Sequence, residues 1–252
     1  VKMSLEPIVI GGKQYLRRTD ALRSMDPSER GAVNYFLGMT FCKLFAARLL
    51  DTPWLLHFDV FKNVLLYGLI DRSKPDLVGL QSGTGKWLAF ESKGRSRRPS
   101  QIAKAKAKTQ AQQLVHLEGS ACDLEIATFS YFQADVLRFY WCDPEPLDAI
   151  PIEIPNPGFA WEYYYRPALD LVMALDHNLS TMANERYFVN VPGLDIQISI
   201  HPKIASLLVE GQWIEAQKAA ESLRSELITA GYQTDGILVK AGKTWLNTFG
   251  EY

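Results

Sequence analysis

Residues 75–93 read PDLVGLQSGTGKWLAFESK, and residues 94–117 continue GRSRRPSQIAKAKAKTQAQQLVHL. Two apolar runs, Leu77–Gln81 and Trp87–Phe90, flank Ser82-Gly83-Thr84-Gly85-Lys86. Glycines supply the positive φ that a tight reversal needs, so the pattern predicts a β-hairpin followed by a basic helix. Folding the hairpin brings Asp76 and Glu91 to one end of the sheet. Strand alternation then puts Glu91 and Lys93 on one face, because side chains at i and i+2 point the same way. Two carboxylates and an ammonium thus converge, which is the donor set of a Mg2+ site with a lysine beside it.

Pro75-Asp76, a hairpin, and then Glu91-Ser92-Lys93 resemble the signature of the PD-(D/E)xK nuclease superfamily. The resemblance covers Pro27 to Cys142. It implies an α/β chain with a restriction-endonuclease-like core: helix, three strands, helix, two strands, as a mixed sheet flanked by helices. It also implies a Mg2+-dependent endonuclease, Mn2+ substituting, that hydrolyses DNA to leave a 5′-phosphate and a 3′-hydroxyl. Restriction, anti-phage defence and mobile-element processing are the settings it suggests. Asp76 and Glu91 are then the metal ligands, with the Ser92 backbone carbonyl as a further one. Lys93 is expected to orient or deprotonate the attacking water, or to neutralise developing charge.

Two more residues follow from the resemblance alone. Many members place an acidic residue of the first helix near the metal, and Glu29 is the candidate here. The alternative is a first-turn glutamate that favours the helix dipole. In several branches a glutamine on the second helix orients the scissile phosphate or the water, which points to Gln110. Gln112 and Gln113 are nearby competitors, and a merely solvated glutamine is the other reading.

The 252 residues carry a formal net charge of −1, with 47% hydrophobic and 22% charged residues. That excludes a disordered chain and leaves enough apolar surface for one large core or two small ones. Charge distribution says more than the sum. Lys93 to Lys108 holds seven basic residues and no acidic one, a local positive patch, and the resemblance implies DNA as its partner. Arg95, Arg97 and Arg98 directly follow the lysine, where guanidinium groups would meet phosphates. Lys104 and Lys108 share a helix side and are further nucleic-acid-binding candidates, while Lys106 points elsewhere. A solvated lysine helix is the alternative.

Cys42, Cys122 and Cys142 are widely spaced, with no CxxC, which fits reduced thiols and argues against zinc. No apolar run reaches membrane-spanning length, and the N-terminal residues do not resemble a signal peptide. The expectation is a cytoplasmic protein without a membrane partner. The Asn178-Leu179-Ser180 sequon carries no weight there.

Along the chain, residues 1–26 read as an N-terminal arm, 27–142 as the nuclease core, 143–160 as a Pro-rich linker and 161–252 as an α+β recognition or dimerisation region. Pro27-Ser28-Glu29 opens a helix to about Leu50, with Ser28 as N-cap and Val33, Phe36, Leu37, Thr40, Phe41 and Leu44 on the inner face. Trp54–Ile70 is expected to hold the first strand, and Pro75–Gln81 and Trp87–Lys93 the next two. Ser100–Leu117 forms a helix with Ala103, Ala107, Gln110 and Leu114 on one side. Cys122–Tyr131 and Val136–Trp141 follow as strands. Asp143–Gly158 holds five prolines, too many for a helix or central strand.

Beyond it come an aromatic helix at Trp161–Leu179, a strand near Leu194–Ile200, helices within Lys203–Ala230 closed by Gly231, and a strand at Gly236–Lys240. Trp161, Tyr163, Tyr164 and Tyr165 read as core, as a dimer contact or as base-stacking groups.

Two glycine-lysine stretches, at Gly79–Trp87 and Gly236–Thr244, lack the spacing of a phosphate-binding P-loop. His57, His116, His177 and His201 are isolated, and no nucleophile elbow occurs. Three functional readings remain: a Mg2+-dependent DNA endonuclease, a non-catalytic nucleic-acid-binding or assembly subunit on the same fold, or a protein-interaction module unrelated to nucleases, which is expected if Asp76 and Glu91 stand far apart. Either of the first two is compatible with a homodimer or with a larger defence or transposition complex.

Overall fold

A computed structural model of the chain describes residues 4–61, 74–111, 116–117, 120–121, 124–142, 151–152, 157–175 and 188–243. The chain forms two units, Val1–Ile154 and Pro155–Tyr252, so the division falls inside the proline-rich stretch.

In the first unit, strands β1 (Leu5–Ile10) and β2 (Lys13–Arg18) form a hairpin, followed by helices α1 (Asp20–Ser24) and α2 (Pro27–Leu49). Strand β3 (Trp54–His57), helix α3 (Phe58–Phe61), β4 (Leu77–Leu80) and β5 (Trp87–Arg95) come next. Helix α4 (Gln101–Ala111) then crosses over to β8 (Leu124–Gln133) and β9 (Val136–Cys142). Short strands β6 (His116–Leu117), β7 (Ser120–Ala121) and β10 (Pro151–Ile152) make a small separate sheet.

The main sheet has seven strands in the order β1-β2-β9-β8-β5-β4-β3. Only β5 and β8 run parallel, joined by the helical crossover that parallel neighbours require. The sheet is therefore mixed and flanked by helices, with a core order of helix, three strands, helix, two strands. Residues 4–26 are not a free arm. Their hairpin joins the sheet edge through Arg17 opposite Val136. Gly11 and Gly12, both at positive φ, make the two-residue reversal that such hairpins favour.

Strand β5 is buried from Trp87 to Ser92, which explains its continuous apolar run: a central strand covered on both faces has no polar side to alternate with. Its even positions face α2. Leu88 and Phe90 pack with Cys42, Phe45, Ala46 and Ile126. On the other face, Ala107 of α4 packs against Ala127 and Phe129 of β8, small residues that let the helix lie close to the sheet. The odd positions of β5, Glu91 and Lys93 among them, share that side.

The face that α2 buries differs from expectation. Asn34, Leu37, Gly38, Cys42, Phe45 and Ala46 are buried, whereas Phe36 is 66% and Leu44 47% exposed. The cause is close packing: a Cβ on Gly38 would lie 2.7 Å from the Gly94 amide nitrogen, and one on Gly94 would lie 1.6 Å from the Asn34 carbonyl oxygen. Small residues, not the larger apolar ones, decide which side of α2 meets β5. The N-cap also differs. Asp26 accepts from the Ser28 and Glu29 amides at 2.6 and 3.1 Å, so Asp26 is the N-cap and Ser28 stands two residues inside it.

In the second unit, helix α5 (Pro157–Leu175) and helices Pro202–Val209, Trp213–Ser222 and Arg224–Thr229 accompany a three-stranded antiparallel sheet. Its strands are β11 (Val189–Val191), β12 (Ile196–Ile200) and β13 (Ile237–Ala241). Trp161, Tyr165, Leu169 and Val172 recur at helical spacing and are buried. The Tyr164 and Tyr165 hydroxyls donate to Asp235, to Oδ2 at 2.6 Å and to its carbonyl oxygen at 3.0 Å. Burial, with the Asp235 charge adding to it, pushes the Tyr164 phenol well above its ordinary pKa. Three of the four aromatics thus serve packing, and Tyr163 is 43% exposed. The sequon and Cys122 lie outside the described residues. Among the described residues no helix is long and apolar enough to cross a membrane.

Candidate active site

The β4–β5 hairpin is built by its turn. Gly83 and Gly85 take positive φ, and the Gln81 amide donates to the Lys86 carbonyl at 2.9 Å. That turn sets Leu77 opposite Phe90. One step further along the same register, Asp76 comes opposite Glu91. The Ser92 amide donates to Asp76 Oδ2 at 2.9 Å, which anchors the aspartate to the neighbouring strand.

Lys93 lies between the two acids. Its ammonium forms an ion pair with Glu91 Oε1 and stands 3.7 Å from Asp76 Oδ2. Glu91 is fully buried, while the side chains of Asp76 and Lys93 retain 24% and 25% of their exposure. The three groups therefore open to solvent on the Asp76–Lys93 side. Glu91 Oε2 has no hydrogen-bond partner among the described residues.

Burial, with the Asp76 charge adding to it and Lys93 pulling the other way, pushes the Glu91 carboxyl up to about 7. An isolated carboxylate resists burial because it loses its hydration, and one lysine shared between two acids does not fully replace it. A divalent cation would. The residues present fit such an ion: two carboxylates and the Ser92 carbonyl are hard oxygen donors, and Mg2+ commonly takes one or two carboxylates and leaves its other positions to water or phosphate. Among the described residues no group of three or more His, Cys, Asp or Glu could hold a metal, so any cation here draws on those non-protein ligands.

Glu29 does not join this cluster. It is exposed and its carboxylate accepts from the Asp26 amide at 3.2 Å, closing a capping box. The helix start consumes the side chain, because Asp26 and Glu29 stand three residues apart at an N-terminus whose amides need acceptors. Gln110 is half-buried on α4 beside Ala107 and Ala111. It makes no hydrogen bond to Asp76, Glu91 or Lys93 among the described residues. Gln112 and Gln113 lie outside them. Lys104 stands 3.7 Å from the Tyr140 ring centroid, a cation–π contact that ties its ammonium to the sheet. Arg95, Arg97, Arg98 and Lys108 are exposed.

Residues that the sequence reading passes over complete the surroundings. Asn34 Nδ2 donates to Ser96 Oγ at 2.7 Å, fixing the start of the arginine loop to α2. Tyr35 Oη and His57 Nε2 are 2.9 Å apart, and the Phe58 amide donates to the Asp76 carbonyl at 2.9 Å. Burial raises the Tyr35 phenol above its usual pKa, Asp76 and Asp59 add to this, and Lys93 opposes it. The signal for Asn34 and Tyr35 was their place two turns into α2; nothing local shows that this turn meets Gly94. Cys42, buried, has its thiol pushed up to about 12 by burial and is chemically quiet. Comparison with protein-family models, with curated proteins and with solved structures finds no match to this chain.

Proposed function

We propose that this chain is a Mg2+-dependent endonuclease that hydrolyses DNA phosphodiester bonds on a restriction-endonuclease-like core. The observation that carries the reading is the buried Glu91 carboxylate, one oxygen unpartnered, beside Asp76 and Lys93 at the open end of the β4–β5 hairpin. A carboxylate kept in such a place without full compensation is a site for a cation. The order of helix, three strands, helix and two strands, with β5 parallel to β8, supports the same reading.

Asp76, Glu91 and the Ser92 carbonyl would hold Mg2+, which polarises a phosphoryl oxygen and lowers the pKa of bound water. Lys93 orients the attacking water and offsets charge developing on the phosphate. Lys93, which pairs with Glu91 in this structure, would be free for that role if Glu91 held the ion. The exposed Arg95, Arg97 and Arg98 guide the backbone of the substrate by charge. Glu29 is left out of the metal set, Gln110 is kept as a group that orients the phosphate or water, and Lys108 is kept as a backbone contact. The product ends would be a 5′-phosphate and a 3′-hydroxyl, and a cytoplasmic role in restriction, defence or mobile-element processing suits the activity. A homodimer or a larger complex would carry it.

A second reading, a nucleic-acid-binding or assembly subunit without catalysis, is favoured by the bonds already present: the Ser92 amide on Asp76 and Lys93 on Glu91 satisfy part of both acids. Cleavage of plasmid and single-stranded DNA in Mg2+ by the wild type, Asp76→Ala and Lys93→Ala separates the two. The nuclease reading expects cleavage lost in both variants with folding retained. Equal residual cleavage in all three proteins would remove that reading and leave the binding subunit.

A further inference from the structure

We infer that Tyr35, held by His57, binds a substrate phosphate: its hydroxyl donates to a phosphate oxygen of nucleic acid lying across Asp76, Glu91 and Lys93. The inference rests on the nuclease reading and adds a residue on α2 to it.

The placement comes from the backbone on both sides. The Asn34 carbonyl abuts Gly94, the residue after Lys93, so closely that no side chain fits between them. The Asn34 amide group also holds Ser96 in the loop that carries Arg97 and Arg98. Tyr35, the next residue, is therefore fixed beside the end of the strand that bears the lysine. His57 is the last residue of β3 and stands opposite Leu77, next in the chain to Asp76. The Phe58 amide bonds the Asp76 carbonyl. The Tyr35–His57 pair thus spans from α2 to the strand ends that present the acids.

The direction of the Tyr35 proton follows from His57. Its Nδ1 is buried without a hydrogen-bond partner among the described residues. In the neutral ring, a proton on Nδ1 would bury an unmet donor, whereas a proton on Nε2 buries only a lone pair, the more tolerable deficit. Nε2–H then donates to the Tyr35 oxygen at 2.9 Å, and the phenol proton is left to point elsewhere. Tyr35 is 41% exposed, and its hydroxyl has no other partner among the described residues. It stands within electrostatic reach of Asp76 and Lys93, and as a phenol it carries its proton near neutral pH, so it can donate to an anion. A phosphate oxygen is the acceptor that the arginine loop and the lysine would bring there.

The test compares wild type, Tyr35→Phe, His57→Leu, the double variant that combines these two, and His57→Gln. Each is measured for affinity to a fluorescein-labelled DNA duplex in Ca2+ and for KM and kcat in Mg2+. Tyr35→Phe keeps the ring and the fold and is expected to weaken affinity and raise KM roughly tenfold, the range of a hydrogen bond to a charged group. His57→Leu is expected to match it, the double variant to lose nothing further, and His57→Gln, which retains an N–H donor, to recover part of the loss. Wild-type affinity and KM in Tyr35→Phe, with cleavage intact in the parent, would overturn this inference alone. A wild type that neither binds nor cleaves DNA would overturn the nuclease reading and this inference with it.

Discussion

The Glu91 carboxyl has a measurable consequence at the scale of one residue. Its folded-state value, about 7, lies above the ordinary 4.5, so between those values the native state holds a proton that the unfolded chain has released. Native stability therefore falls as pH rises from about 4.5 to about 7, and the full penalty persists above that range. The difference corresponds to about 3 kcal/mol. In metal-free buffer, urea unfolding across this window is expected to show that decline in the wild type and a flat profile in Glu91→Gln. Parallel profiles would mean that Glu91 is already compensated and would weaken the case for a cation. The same protonation predicts that Mg2+ affinity rises with pH up to about 7 and levels off, because the ion competes with a proton for Glu91. Glu29 gives the opposite test. Glu29→Ala is expected to lower the melting temperature through the lost capping box while Mg2+ affinity measured by calorimetry stays at the wild-type value. A loss of affinity would return Glu29 to the site.

At the scale of elements, the contact between α2 and β5 decides where the catalytic candidates stand. Gly94 follows Glu91-Ser92-Lys93 directly, and its hydrogen lies where any Cβ would collide with the Asn34 carbonyl. That obstacle is backbone, which a rotamer change cannot relieve. Gly94→Ala is expected to destabilise the protein by about 1–3 kcal/mol or more through overpacking. It should also cut kcat by displacing Lys93. Both effects are read from urea unfolding and single-turnover cleavage. Gly11, by contrast, has open space around a Cβ and only a positive φ of 57° to resist substitution. A Gly94→Ala variant as stable and as active as the parent would show that α2 can retreat from the strand at no cost.

For the whole molecule, the two units have separate cores, and the candidate chemistry lies in the first. Asp235 is a structural pivot of the second: it accepts the Tyr164 and Tyr165 hydroxyls and, through Oδ1, the Ile237 amide at 3.0 Å. Asp235→Ala is expected to cost about 1–3 kcal/mol, because the Tyr164 hydroxyl and the Ile237 amide lose their acceptor while Tyr165 keeps the backbone carbonyl. Unfolding followed by tryptophan fluorescence, together with cleavage assayed well below the transition, checks it. Lower stability with unchanged kcat is the expected pair. A parallel fall in kcat would assign the second unit a part in the chemistry.

Much of the fold was legible because its signals are local. The glycine turn at Ser82–Lys86, the alternation that puts Glu91 and Lys93 on one face, and the alanine-rich helix after a basic loop all depend on neighbours within a few residues. The Gly11-Gly12 reversal is equally local, but the pairing of its hairpin with the sheet, Arg17 opposite Val136, joins segments far apart in the chain. The inner face of α2 was legible only in part: Leu37, Val33 and Phe41 do pack into the core. Phe36 and Leu44 sit at core-like spacing, yet Gly38 and Asn34 face the sheet, since the closeness of two backbones is a property of both elements. By itself the sequence determined the hairpin, its register and the identity of the acid–lysine triplet, because side-chain period and turn chemistry are written within one segment. Only the tertiary structure decided that Glu91 is stripped of water, that Glu29 is spent on a cap and that Tyr35 meets His57. Burial and proximity arise when distant segments close on each other, and no single segment encodes them.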